Sequence, residues 1–177
     1  MTDLEILRYP TGRFKVNKEL TVEGRNQCIA DISACPLSLQ QAVLGLTSDQ
    51  LKTPYREDGW SVQQLVHHVF DSHVNAFIRF RLALTEVNPR ITAYNENDWA
   101  FLADSVSVPA DVSVKLVEGL HLRWVVMLNS MSDSDFAENL DHPENGLMSL
   151  NTMLQLYAWH GKHHVRHITA LRERKKW

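Results

Sequence analysis

Four stretches of the chain repeat apolar residues with the three-to-four-residue spacing of an amphipathic helix. The first runs from about Val22 to Leu46 and carries Ile29, Ile32, Leu39, Val43 and Leu46. Pro36 falls inside it, which predicts a kink or a break there. The second follows Ser61, which stands three residues before Gln64 in capping-box spacing. It carries Val62, Leu65, Val66, Val69, Phe70, Phe77 and Phe80 and ends near Glu86, ahead of Asn88-Pro89. The third runs from Pro109 to about Met131, with Leu116, Leu120, Trp124, Met127 and Leu128 expected on its buried side. The fourth runs from Ser149 to about Glu173, with Leu150, Met153, Leu154, Tyr157, Ile168 and Leu171 on one stripe.

Between the second and third helices, residues 87–108 include Tyr94, Trp99 and Phe101. That segment is too apolar for a free linker and too long for a tight turn, so it reads as a crossover holding a short helix. Residues 141–147 are rich in turn formers, and the first 18 residues read as an extended arm lying on the bundle. No period-two alternation recurs often enough to build a sheet. The expectation is an all-α four-helix bundle with a long connection between its second and third helices and an extended N-terminal arm. At 177 residues it is expected to be one domain, large enough to fold without a disulfide or a metal.

Charge narrows the partners. The chain has 18 Lys and Arg against 21 Asp and Glu, a net charge of −3. No overall basic field draws it to nucleic acid or an anionic membrane. No apolar run approaches a membrane span, and the N-terminus lacks a secretory h-region. The expected setting is cytoplasmic. Cys28 and Cys35 are seven residues apart, about 10.5 Å along a helix, too far for a disulfide. They read as reduced thiols.

Histidine carries the chemistry. Nine are present, and seven fall in two clusters: His67, His68 and His73 on the second helix, and His160, His163, His164 and His167 on the fourth. Two histidines four apart share one face of a helix, so both can reach one metal ion. The fourth helix offers His160/His164 and His163/His167. Its apolar stripe turns the first pair toward the bundle interior and points His163 outward. Periodicity alone leaves His67, His68 and His73 open as the source of a third ligand. The chain has no His-Glu-x-x-His, because Gly161 follows His160, and no nucleophile elbow or phosphate loop. Glu118 and His121 show one Glu-x-x-His spacing, where a di-iron bundle needs two. The basic C-terminus reads as a solvated helix end complementing the dipole.

These residues also carry a resemblance. Tyr9-Pro10, Thr53-Pro54-Tyr55-Arg56, Asp58-Gly59-Trp60, Val66-His67-His68 and Asp71-Ser72-His73 match, as does the block from Tyr157 to Ile168. Over nearly its whole length the chain resembles the DinB/YfiT-like superfamily. Within it, it is similar to the YfiT group, to which metal-dependent hydrolysis is attributed. The resemblance implies one divalent ion, zinc first and nickel second, held by a histidine eight residues after the tryptophan and two histidines four apart on the last helix. Here those are His68, His160 and His164, with His67 the one-residue alternative to His68. It also implies a small-molecule substrate and a homodimer, for which Trp99 and Phe101 could supply contacts. The expected reaction is hydrolysis, with His73, Asp71 and His163 as the nearest candidates for proton transfer. The alternative is a thiol S-transferase using bacillithiol or mycothiol, with Lys162 and Arg166 receiving its carboxylates. A third reading is a non-catalytic bundle stabilised by its metal.

Overall fold

The computed structural model describes residues 3–177. The N-terminal arm begins with a short helix, α1 (Asp3–Arg8), and then runs extended to the first long helix, α2 (Val22–Val43). The arm is thus extended only after its first turns, a correction to the sequence expectation. Thr21 caps α2 by accepting from the Gly24 N–H. Pro36 does not break α2, which continues through it. A short α3 (Ser48–Leu51) follows, and then α4 (Val62–Thr85). The expected capping box at its start is formed: Ser61 accepts from the Gln64 N–H, and the Gln64 side chain accepts from the Ser61 N–H.

The connection after α4 holds two short helices, α5 (Glu96–Ala100) and α6 (Ala103–Ser107), before α7 (Ala110–Ser130). After α7 come α8 (Asp133–Ala137) and a small hairpin, β1 (Asn139–His142) with β2 (Gly146–Ser149). The strands pair antiparallel, Asn139 opposite Ser149 and His142 opposite Gly146. The last helix, α9 (Leu150–Lys175), starts from Ser149, which accepts from the Thr152 N–H. The hairpin was not read from the sequence, because four-residue strands are too short to show alternation.

The four long helices form a four-helix bundle in which α2 and α4 each pack against both α7 and α9. Two apolar clusters fill it. One gathers Ile29, Ile32, Phe80, Trp124, Leu150 and Leu154. The other gathers Leu39, Val62, Leu65, Val66, Val117 and Ile168. The buried face of α7 includes Val114, Val117, His121, Trp124 and Leu128. Leu116, expected there, is 47% exposed. Cys28 and Cys35 are free thiols, the second buried. Among the described residues, no helix is long and apolar enough to cross a membrane.

Candidate metal centre

His68 reaches the bundle's interior from α4, and His160 and His164 from successive turns of α9. One nitrogen from each lies within 4.8 Å of the others. His68 Nε2 and His160 Nε2 are 3.2 Å apart. Two nitrogens bound to one tetrahedral ion at ~2.0–2.1 Å would lie about 3.3 Å apart. The donor set therefore fits a single ion with little movement. Among the described residues, His164 Nδ1 is buried with no hydrogen-bond partner, a cost that a polar atom in a core normally avoids.

Burial holds these rings neutral. His68 is pushed down to about 4, first by burial and then by His163. His160 and His164 are held well below the ordinary imidazole range, first by burial and then by their histidine neighbours. A neutral imidazole is the form that binds a metal.

The surroundings fix the three rings. Trp60, in the turn two residues before α4, packs on His68 with ring centroids 4.7 Å apart. The turn that delivers Trp60 closes by hydrogen bonds from Tyr55 N to Trp60 O and from Gly59 N to Arg56 O. A Cβ on Gly59 would lie 2.7 Å from Arg56 Cγ and 2.9 Å from the Tyr55 ring, so this turn needs a glycine. The three histidines open into a cleft of about 390 Å³, also lined by Tyr9, Arg56, Trp60 and Trp159.

His67 is not part of this set. Its Nδ1 pairs with Ser113 Oγ at 2.8 Å and its Nε2 with the Val108 carbonyl at 2.9 Å. The one-residue alternative to His68 is therefore turned toward the connection and α7. His73 is fully buried, with its ring nitrogens facing His121 and His160. Asp71 does not line the cleft. Its carboxyl is raised to about 6 by burial and then by Asp104.

One correction concerns α9. His163 does not point outward to solvent: it is 6% exposed, and His167 is 4% exposed. The N-terminal arm covers both. Thr11 Oγ1 pairs with His163 Nδ1 at 3.0 Å, and the Arg8 carbonyl accepts from His167 Nε2 at 3.2 Å. Trp159 stacks on His163 at 4.3 Å and donates to the Gly12 carbonyl. A helical wheel of the bundle alone has no arm in it. On α7, Glu118 is exposed while His121 is buried, so their spacing forms no shared ligand pair.

With this geometry in place, the relationships to known proteins are informative. The family model of the DinB superfamily matches residues 32–168. The chain belongs to the DinB superfamily. Its relatives cover it nearly end to end. A Bacillus cereus (strain 03BB102) protein named "Putative metal-dependent hydrolase" is 48% identical over 171 residues, 97% of this chain and 98% of that one. A similarly named protein of Bacillus mycoides (strain KBAB4) matches to the same extent. Among solved structures, YfiT from Bacillus subtilis superposes with a TM-score of 0.95 at 40% identity, over 97% of this chain and 99% of that one. It is described as "a probable metal-dependent hydrolase with an unusual four-helix bundle topology".

Proposed function

We propose that this DinB-superfamily protein is a metal-dependent hydrolase of a small-molecule substrate, with His68, His160 and His164 holding one divalent ion. The observation that carries the reading is the convergence of three neutral imidazoles on one point at the floor of a cleft. An all-imidazole set suits zinc and nickel better than calcium or magnesium, which take oxygen ligands. Such an ion, when bound, makes water a nucleophile near neutral pH and polarises a carbonyl.

The chain's own residues bind and orient. Trp60 and Trp159 give the cleft flat apolar walls, and Arg8 and Arg56 place positive charge along it. Of the three proton-transfer candidates read from the sequence, only His163 lines the cleft. His73 is sealed in the core and Asp71 faces elsewhere. Lys162 is paired with Asp31 and Arg166 with Glu173, and neither lines this cleft. That placement gives the thiol-transfer reading no support from its expected carboxylate receivers.

The test is elemental analysis of untagged protein beside His68→Ala, His160→Ala and His164→Ala, followed by ester and amide turnover with and without added thiol. About one zinc or nickel per chain, lost in each variant together with thiol-independent hydrolysis, supports the proposal. A fully active triple variant overturns it.

A further inference from the structure

Pro36 has a consequence inside α2. A proline has no N–H, so the carbonyl four residues earlier receives no helical hydrogen bond. That carbonyl belongs to Ile32, and His121 of α7 fills the gap, with its Nδ1 2.6 Å from the Ile32 oxygen. A carbonyl only accepts, so the proton sits on His121 Nδ1. A neutral imidazole has one N–H, and His121 Nε2 must therefore accept. Its partner is His73 Nδ1 at 2.8 Å, which donates. His73 Nε2 in turn accepts from His160 Nδ1 at 3.1 Å. Three links take three protons, one from each ring. The ring nitrogen left with a free lone pair is His160 Nε2, the atom that faces His68.

We propose that Ile32, His121, His73 and His160 form a one-way hydrogen-bond relay that locks His160 in its Nδ1–H tautomer and strengthens its Nε2 as a donor to a divalent cation. In this relay His73 and His121 are positioning residues. Its metal-directed half rests on the three-histidine reading above; its tautomer half does not. The direction is set at the buried end, because the reverse order would press the His121 Nδ1 lone pair against a carbonyl oxygen at 2.6 Å. Each bond in such a chain polarises the next, and low surrounding polarity enhances the effect. A histidine ligand usually hands its second N–H to a carboxylate or carbonyl. Here the carbonyl is reached through two further rings. Both are locked by aromatic neighbours: Trp124 meets His73 and His121 edge-on, with centroids 5.8 and 5.7 Å away.

Cys35, His73 and His121 also bring one ligand atom each within 4.8 Å of one another. The relay is the better account of that cluster. Its links engage both ring nitrogens of His73 and of His121, leaving neither ring a lone pair for an ion.

The experiment reads histidine tautomers in ¹⁵N-labelled protein by long-range ¹H–¹⁵N correlation, metal-free and after zinc loading. The metal-free protein should show Nδ1–H at His121, His73 and His160. His121→Phe removes the anchor without touching His160, and should release His73 and His160 into tautomer mixtures. His73→Phe should weaken zinc binding in chelator competition by about 10- to 100-fold. His73→Gln, whose amide can donate to His121 and accept from His160, should recover part of that loss. A merely structural role would lower melting temperatures and leave the His160 tautomer in place, which would overturn the relay. If His121→Phe fails to fold, His121→Gln keeps the donor to Ile32 and the acceptor for His73, and should preserve both downstream tautomers. An Nε2–H form of His73 in the wild type would overturn the relay. So would a second zinc per chain that is lost in Cys35→Ala. A failed hydrolysis assay would leave the spectra and the zinc competition unchanged, so the two proposals fail separately.

Discussion

Gly161 lies where any side chain would strike Cys35: a Cβ at this position would be 2.7 Å from the Cys35 sulfur and 3.3 Å from its Cβ. The contact joins α9 to α2 one residue from His160 and one from Pro36. Glycine inside a helix costs about 1 kcal/mol relative to alanine, so α9 alone would favour alanine here. Packing decides otherwise. Gly161→Ala is expected to destabilise the protein by about 1–3 kcal/mol, the usual range for overpacking a full core. Cys35→Ala removes the struck sulfur, so the double variant should lose less than the two single losses together. Urea unfolding of the four proteins measures this coupling. A neutral or stabilising Gly161→Ala would mean that the helices part without cost.

Much of this architecture was written in residue spacing. The stripes of α4 and α9 gave their lengths because one face is buried along the whole helix, and Ser61 with Gln64 marked a start that the backbone confirms. The His160/His164 pair was readable because four-residue spacing fixes a shared face. What escaped depends on distant chain. His163 turned from an exposed ring to a buried one because Thr11, 152 residues away, lies over it. His121 is a lone histidine on a mostly apolar stripe, and its partners come from α2 and α4. Pro36 was legible as a disturbance, but its effect was not. The freed carbonyl is satisfied from another helix, so α2 continues instead of breaking.

Metal removal should separate stability from fold. The two apolar clusters include Trp124, Leu154, Leu39 and Val66, all 0% exposed, and they are built of apolar side chains without His68, His160 or His164. Chelation is expected to lower the melting temperature while far-ultraviolet dichroism stays helical. At a free zinc concentration 100 times its Kd, the bound ion would stabilise by about 2.7 kcal/mol. In His68→Ala the difference between zinc-loaded and chelated protein should vanish. Loss of helix on chelation would instead make the metal part of the folding core.

The arm lies over the far side of the α9 histidine cluster. Deleting residues 1–12 removes the Thr11 hydroxyl from His163, the Arg8 carbonyl from His167 and the Gly12 carbonyl from Trp159. His163 and His167 should then react faster with diethylpyrocarbonate, as read by peptide mass spectrometry, while His121 stays protected. Equal rates with and without the arm would show that it does not shield them.

Acid should unfold the metal-free protein earlier than its carboxylates alone would require. His121 is 2% exposed, and burial pushes it down to about 4 against the partial opposition of the Ile32 carbonyl. In the unfolded chain it titrates near 6.5. Above that pH the ring is neutral in both states and adds no slope. Below it the unfolded chain takes a proton that the native ring refuses, so stability falls by about 1.4 kcal/mol per pH unit. The loss from this ring levels off near pH 4, where the native ring also protonates. His163, lowered to about 4 by burial, and His167, lowered to about 3 by burial and then by His163, act with the same sign. His121→Gln keeps the hydrogen bonds but cannot titrate, so its stability should fall less steeply between pH 6.5 and 4 than that of the wild type. Urea unfolding across that range in the presence of chelator measures both slopes. Equal slopes would mean that His121 takes up its proton as readily in the folded protein as in the unfolded chain, and would overturn this reading of its burial.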